Sequence, residues 1–390
     1  MKKVLIVNSY YDPTIIGGAE ISTQLLAEGL TKDYKVYVLT TGGHKSGLIK
    51  EEKNGVEIYR IPCMNLYWPA EKKDRNNLMK LGWHLINAIN PRQYYFLKNL
   101  LNEIKPDFIH TQNLNGIGTY IWSLSYKLRI PVVHTTRDYA LFEPVKNTKV
   151  NKILSYINRR RSKYVNCSVG ISQFIMKKHE KNGFFSNSHK EVVHNVVKSK
   201  NYERRERKEG EPLVIGYFGQ LEEIKGVKLL AEVIQFLEKN VVSKLVICGT
   251  GQLEKELQKK AEQDGRIVLM GKIPLEEVNQ LMAQIDVTIV PSIWEEPFGR
   301  VIIESYNQGT PVIATAVGGI PELIVNKELL IAKDDREQLI KSIEKFASLN
   351  NKQISENIRE SLAASRYYHD NIALYNRIYK NISSGDKFDG

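Results

Sequence analysis

Two glutamates eight positions apart, Glu296 and Glu304, flank the run Pro297-Phe298-Gly299 in this 390-residue chain. The segment follows an apolar run ending at Val290 and enters a helical pattern near Gly299, the order strand, loop, helix start. Gly299 lets a ligand approach the backbone, and the N–H groups of Arg300 and Val301 at a helix start suit an anionic phosphate. Glu304, just over one turn inside the helix, is placed to accept two hydroxyl hydrogen bonds from a ribose. Glu296, ahead of the helix, can reach a sugar at the other end of a pyrophosphate. A second strand, tight loop and helix start runs from Gly216 to Gly226 (GYFGQLEEIKG), where Lys225 supplies a point charge for phosphate oxygens. In a third loop, Tyr10 to Glu20 (YYDPTIIGGAE), the amides of Gly17 and Gly18 precede a helix and can contact a phosphate or a sugar.

These loops need a scaffold, and the chain offers one. Short β-branched runs alternate with longer segments of helical period, which predicts βαβ units and parallel sheets. Strands are expected at Lys3 to Asn8, Tyr34 to Thr40, Phe108 to His110, Pro131 to Thr135 and near Val192 to His194. Further strands are expected at Leu213 to Phe218, Lys244 to Cys248, Ile267 to Leu269, Val287 to Val290 and Val312 to Ala314. The charged stretch KSKNYERRERKEGEP, closed by Gly210 and Pro212, reads as a connection, which gives domains over 1–195 and 213–365 and a linker over 196–212. Doubly wound sheets bind ligands beyond the carboxyl ends of their strands, so chemistry belongs in the loops that follow strands.

Composition narrows the class. With 42% hydrophobic and 26% charged residues, 26 Gly and 13 Pro, the chain is neither disordered nor fibrous. Cys63, Cys167 and Cys248 lack any C-x-x-C spacing, which suggests neither a disulfide framework nor a zinc site and fits a reducing cytosol. The apolar run Val4 to Val7 is too short for a signal-peptide core, and no stretch approaches the roughly 18 residues of a membrane span, so a soluble or peripheral protein is expected. Residues 1–200 hold 31 basic and 15 acidic side chains, whereas residues 201–390 hold 25 and 29. Such asymmetry suggests that one half meets a polyanion, or else carries a solvated basic face. Between 64 and 100, Tyr67, Trp68, Leu78, Met79, Leu81, Trp83, Leu85, Ile86 and Ile89 mix with Lys72, Lys73, Arg75 and Lys80. That pattern suits an anionic membrane leaflet, or a packed core with its charges facing solvent.

With Pro291-Ser292, Phe298-Gly299 and Gly318-Gly319 in order around them, Glu296 and Glu304 resemble the E-x7-E signature of retaining nucleotide-sugar glycosyltransferases of the GT-B fold, family 4 in particular. Glu295 is out of register with that signature. Weaker echoes lie at Asp107 to His110, Gln112, Ile171 to Gln173, His194-Asn195, Gly249 to Gly251 and Gly271 to Ile273. The resemblance implies an α/β fold of two Rossmann-like doubly wound domains facing across a cleft, the first for the acceptor and the second for the nucleotide sugar. A C-terminal helix over 366–390 would cross back to the first domain. The implied donor site is Gly17, Gly18, Gln220, Lys225, Lys272, Ile273, Glu296, Phe298, Gly299, Arg300, Val301 and Glu304, with Lys225 on the pyrophosphate and Lys272 and Ile273 beside the base. Glu296, Lys225 and Arg137 would carry catalysis, and Arg137 with Asp138 would form the acceptor side.

Two positions depart from the pattern. Gln220 stands where relatives commonly have Arg, and Arg137 stands where many have the His of a His-Asp pair. Arg137 stays protonated at neutral pH and cannot act as a general base. It can hold donor phosphate or acceptor and offset the charge missing at Gln220. His134, inside the predicted strand, is expected to be a packed side chain.

No Asp-x-Asp and no His/Cys cluster of metal spacing occurs, so neither a metal nor a cofactor is expected beside the nucleotide-diphosphate sugar. The resemblance implies retention of anomeric configuration, by attack of the acceptor hydroxyl on the leaving-group face with a phosphate oxygen taking its proton. The implied acceptor is a glycan or lipid-linked glycan of cell-surface polysaccharide or glycoconjugate synthesis, met in the cytoplasm or peripherally on the inner face of the membrane. The same scaffold also serves sugar-nucleotide epimerases and glycan phosphorylases, and a non-catalytic membrane or nucleic-acid binding module is the alternative from another class. The lack of an interleaved basic and aromatic RNA-recognition motif weighs against nucleic acid, and the lack of G-x-G-x-x-G after the first strand weighs against a dinucleotide oxidoreductase.

Overall fold

The aliphatic runs build two separate sheets, one in each of two units. The computed structural model describes residues 1–71, 73–145, 149–197, 200–368 and 370–384. Unit 1 comprises Met1–Val196 and the chain from Asn371 onward, and unit 2 comprises Val197–Asp370.

Unit 1 contains strands β1 (Lys3–Val7), β2 (Lys35–Thr41), β3 (Ile49–Lys53), β4 (Val56–Ile61), β5 (Phe108–Thr111), β6 (Val132–Thr136), β7 (Cys167–Gly170) and β8 (His189–Val192). They lie in the order β3-β4-β2-β1-β5-β6-β7-β8, parallel throughout except for β3 against β4. The helices are α1 (Gly18–Leu30), α2 (Asn77–Ala88), α3 (Pro91–Ile104), α4 (Tyr120–Lys127), α5 (Lys149–Ser162) and α6 (Gln173–Lys181). Val4 to Val7 are fully buried, as a strand covered on both faces requires, which is why such strands read as continuous apolar runs. The β3–β4 hairpin is an addition to the expected elements. Its turn, Asn54-Gly55, has both residues at positive φ (53° and 78°), the dipeptide that favours a two-residue hairpin.

Unit 2 contains β9 (Leu213–Phe218), α7 (Val227–Phe236), β10 (Val242–Cys248), α8 (Glu254–Gln263), β11 (Ile267–Gly271), α9 (Leu275–Ala283), β12 (Val287–Val290), α10 (Arg300–Asn307), β13 (Val312–Thr315), α11 (Ile320–Leu323), β14 (Leu330–Ile331), α12 (Arg336–Ala347) and α13 (Asn351–Arg366). Its parallel sheet runs β11-β10-β9-β12-β13-β14.

The expected linker over 196–212 is corrected. Lys198 and Ser199 lie outside the described residues, and residues 200–212 are fastened to unit 2 rather than left as a free connection. Arg205 reaches the buried Asp286 at 2.5 Å, Arg204 bonds Thr310, and Arg207 bonds the carbonyl of Ala347. Burial lowers the Arg204 guanidinium to about 10, so this charged run is an anchoring strap.

Helix α14 (Ile372–Ser384) returns to unit 1, while residues 385–390 and His369 lie outside the described residues. Its Tyr379 ring sits 4.5 Å from Phe108 and 5.6 Å from Tyr34, centroid to centroid. Tyr379 Oη bonds His110 Nδ1 at 2.6 Å, His110 Nε2 bonds Thr135 Oγ1 at 2.7 Å, and Thr135 Oγ1 bonds Tyr375 Oη at 3.0 Å.

Among the described residues no helix is long and apolar enough to cross a membrane. Within the segment 64–100, Trp83 is buried and its indole N–H donates to the Tyr67 carbonyl at 2.9 Å, while Trp68 donates to Thr41 Oγ1 at 3.0 Å. Leu78, Leu85 and Ile89 are exposed. The segment is thus core on one side and an apolar surface on the other, with Lys72 outside the described residues.

Burial holds His110 down at about 3 and His179 at about 4, so unfolded unit 1 takes up protons near pH 6.5 that the native unit refuses. Stability is therefore lost as pH falls below 6.5. Between pH 7 and pH 5 the wild type should lose about 2 kcal/mol more than His110→Gln, the linkage of one buried neutral histidine. Urea unfolding followed by tryptophan fluorescence, three of whose four indoles lie in unit 1, checks this. Equal pH slopes for the two proteins would refute it.

Candidate functional site

In unit 2 three loops follow the adjacent strands β9, β12 and β13 and are stitched together by their backbones. Ile293 and Trp294 donate their N–H groups to the Ile224 carbonyl at 2.9 and 3.1 Å, and Gly319 N–H donates to the Glu296 carbonyl at 2.7 Å. The Thr315 hydroxyl closes the set on the Ser292 carbonyl at 2.6 Å. Two glycines make the approach possible. A Cβ on Gly226 would lie 1.9 Å from the Pro291 carbonyl oxygen, and one on Gly318 would lie 2.3 Å from that of Glu296.

At this junction Lys225 Nζ and Ser292 Oγ both donate to Glu296 Oε1, at 2.6 and 2.7 Å. The lysine also lies 4.9 Å from the Trp294 ring centroid, within cation–π range. Three residues on in the same loop, Gly299 caps α10 with φ 102°, a conformation that favours glycine. Arg300 Nε donates to Glu304 Oε1 one turn along at 2.6 Å, with both side chains about 15% exposed. The arrangement holds two cations, two carboxylates and a helix start at the carboxyl edge of a parallel sheet, where phosphates and hydroxyls can both be bound.

Unit 1 assembles a second cluster after β1, β5 and β6. Arg137, which follows β6 directly, donates through Nε to Gln112 Oε1 at 2.6 Å and through Nη1 to Asn195 Oδ1. Gln112 Oε1 also accepts from Thr23 at 2.8 Å. Asp138 accepts from the Ala140 N–H at 2.9 Å and from Asn113 Nδ2 at 3.3 Å. Burial raises the Asp138 carboxyl, opposed by that amide and by Arg137. Glu20 is buried and raised in the same way, against backbone amides and the charge of Arg137.

The other expected contributors, several of them expected to act through their backbones, place their side chains and amides as follows. Gly17 N–H already donates to Glu20 Oε2 at 2.7 Å, so its amide is part of the α1 cap rather than a ligand donor. Phe298 is buried and packs edge-on to Tyr368 at 6.1 Å, and Val301 and Ile273 pack against a core cluster with Phe218 and Met282. Their side chains are therefore core. Gln220 and Lys272 are exposed, and the Gln220 carbonyl accepts from Tyr217 Oη at 2.7 Å. His134 is packed as expected, bonded to Thr111 at 2.9 Å and set against Trp122. Glu20, Ser292 and Asn113 received no role from sequence. The glutamate three positions after Gly17 is the capping pattern that would have pointed to the first.

Comparison with known proteins places this geometry. The profile of glycosyl transferases group 1 matches residues 198–361, and that of glycosyltransferase family 4 matches residues 16–200. A protein described as an uncharacterized 42.6 kDa protein in the cps region of Klebsiella pneumoniae is 34% identical over 333 residues, 82% of this chain and 87% of that protein. Sucrose-phosphate synthase from Thermosynechococcus elongatus superposes with a TM-score of 0.73 at 18% identity, covering 99% of this chain and 100% of that one. HepE from Anabaena, solved in complex with UDP-glucose, gives 0.66 at 17% identity over 98% of this chain and 100% of HepE. The expected GT-B fold is the fold of these neighbours.

Gly318→Ala should push the Glu296 backbone away and lower turnover at least about tenfold, since displacements near 1 Å carry such losses. Gly210→Ala is the control, because Gly210 has a similar positive φ with nothing within 4 Å of its Cβ position. Equal turnover in the two variants would refute the cradle.

Proposed function

We propose, on the premise that this chain belongs to the glycosyl transferases of group 1 and is a glycosyltransferase, that it moves a sugar from a nucleotide-diphosphate donor to a glycan or lipid-linked glycan with retention of configuration. The observation that carries the reading is the Lys225–Glu296–Ser292 cluster beside the start of α10. A relative in a cps region supports a polysaccharide context, and a neighbour that binds UDP-glucose supports a nucleotide-sugar donor.

In this reading the bond from the anomeric carbon to the diphosphate breaks, and one from the same carbon to the acceptor oxygen forms on the same face. The acceptor proton passes to a phosphate oxygen of the leaving group. Lys225, Arg300 and the α10 amides stabilise the charge that develops on the diphosphate, which is electrostatic preorganisation without a metal. Glu296 orients the transferred sugar, and Glu304 exchanges part of its bond with Arg300 for the ribose hydroxyls. Arg137 supplies a permanent positive charge on the acceptor side.

Glu304→Gln should chiefly raise the donor KM and Glu296→Gln should chiefly lower kcat, both measured with EDTA present throughout. Near-normal kinetics in both variants, or abolition of wild-type activity by EDTA, would sink the assignment.

The exposed Leu78, Leu85 and Ile89 together with exposed Arg159, Arg160 and Lys163 support peripheral binding to an anionic cytoplasmic leaflet. The protein should sediment with anionic liposomes at low salt and be released as salt rises, and Arg159→Gln/Arg160→Gln/Lys163→Gln should weaken this without changing nucleotide affinity. Arg161 is left intact because it donates to the Ala88 carbonyl at 2.8 Å. No sedimentation at low salt would refute membrane binding.

A further inference from the structure

Unit 1 carries an open groove of about 470 Å³ at the amino edge of its sheet. Tyr126 lies near the end of α4 on the way into β6, Tyr164 lies between α5 and β7, and Asn187 precedes β8, so each stands ahead of the strand that follows it. Arg137 and the cluster around it follow the opposite, carboxyl ends, about 15 Å away along a five-residue strand. The groove is therefore separate from the machinery of sugar transfer.

Three kinds of side chain line it. Tyr126 and Tyr164, 64% and 38% exposed, pack on each other with ring centroids 4.7 Å apart and planes tilted by 34°, so they show solvent one joint apolar face. Arg160 and Lys163, both exposed, stand three positions apart at the end of α5, and among the described residues neither is paired with a carboxylate. Arg160 Nη1 donates to Tyr156 Oη at 3.2 Å, which leaves most of its fork of donors unused. Ser123 and the exposed Asn187 add a hydroxyl and an amide.

Each kind narrows the ligand. An apolar partner would bury two cations without a counter-charge, which is costly. A bare inorganic anion would leave the tyrosine face unused. A single-stranded nucleic acid stacks successive bases on separate rings, and these two rings are spent on each other. A sugar ring that carries a carboxylate meets all three: its C–H face covers the tyrosines, its carboxylate lies between Arg160 and Lys163, and its hydroxyls face Ser123 and Asn187. The volume is that of an ordinary small-ligand pocket.

We infer that this groove binds an acidic oligosaccharide, a glycan bearing uronate residues, at a second point away from the reaction centre. The choice of a glycan rests on the transfer reading, but its binding is measured without any donor.

The test uses the full chain and two soluble probes, trigalacturonate and the neutral maltotriose, titrated calorimetrically. Trigalacturonate should bind the wild type at least tenfold more tightly than maltotriose does. Tyr126→Ala/Tyr164→Ala keeps every charge and should weaken trigalacturonate at least tenfold, and Lys163→Gln should do the same. The tyrosine variant should still sediment with anionic liposomes like the wild type, because a flat leaflet needs the charges and not the groove. Should circular dichroism show that the double variant fails to fold, Tyr126→Ala alone decides, since that side chain is mostly exposed. No binding of trigalacturonate to the wild type overturns the inference. Equal binding to wild type and tyrosine variant also overturns it, since charge alone would then hold the probe. Loss of liposome sedimentation in the tyrosine variant would hand the groove to lipid, and tyrosine-dependent binding of an oligothymidylate in place of trigalacturonate would hand it to nucleic acid. Absence of a thermal shift with UDP and GDP in the wild type would instead strike the transfer reading, so the two failures are distinguishable.

Discussion

Glu296 can stand where it does only because position 318 carries no side chain. A Cβ on Gly318 would come within 2.5 Å of the Glu296 nitrogen as well as its carbonyl oxygen, and at φ 60° the backbone is one that glycine adopts without strain. The Lys225–Glu296 pair depends on that approach together with a second one, of Gly226 to Pro291. Neighbouring parallel strands end on the same edge, so their loops meet there, and two glycines let them meet at backbone distance. Lys225 and Glu296, 71 positions apart, are thereby brought to 2.6 Å. A pair with only 19% and 15% of its side chains exposed sacrifices hydration for a mutual attraction that rarely returns much net stability. Its retention makes more sense as preorganised charge at a binding site than as a support for the fold.

Electrostatics in unit 1 rest on a different device. Five of its buried groups are pushed toward neutrality: burial lowers His110, His134 and His179 and raises Glu20 and Asp138. A histidine at position 137 would enter surroundings that favour its neutral form. Arginine keeps its charge there because its intrinsic pKa is too high for such burial to remove it. The amides of Gln112 and Asn195 accept from the guanidinium and help to fix its position. Arginine at this position therefore offers a permanent cation after β6 where a histidine would offer a titratable group.

Much of this was legible in the sequence, and what was not has physical reasons. β9 and β12 fall on the residues expected because each is an aliphatic run buried on both faces. β7 was missed because Cys167-Ser168-Val169-Gly170 is short and small, and only its neighbours β6 and β8 identify it as a strand. In the candidate site, spacing located Glu296, Glu304 and Lys225 but did not disclose that Glu296 bonds Lys225 or that Glu304 bonds Arg300. Nor does spacing separate a residue that offers its backbone from one that offers its side chain. Phe298 and Val301 sit in the motif because their side chains fill the core beneath it. The arginines of the 196–212 stretch read as linker for a related reason, since composition cannot reveal that Asp286, more than 70 positions away, is buried and lacks a counter-charge without them.

The run Arg159-Arg160-Arg161 carries the same lesson into the surface of unit 1. Successive residues on a helix point about 100° apart, so three consecutive arginines span about 200° and need not share one environment. Arg159 and Arg160 are exposed over Tyr156, whereas Arg161 turns inward, stacks on Tyr120 at 5.7 Å and donates to Ala88 and Thr119. Burial lowers its guanidinium, the mark of a charge held for its hydrogen bonds. Ala88 is the last residue of α2, so this one side chain ties the ends of α2 and α5 together. Those two helices also place His84, Asn87 and Asn158 around a pocket that Arg137 and Asp138 line as well. A single basic triplet thus both ties two helices together and charges the surface outside them, and helical phase decides which arginine does which.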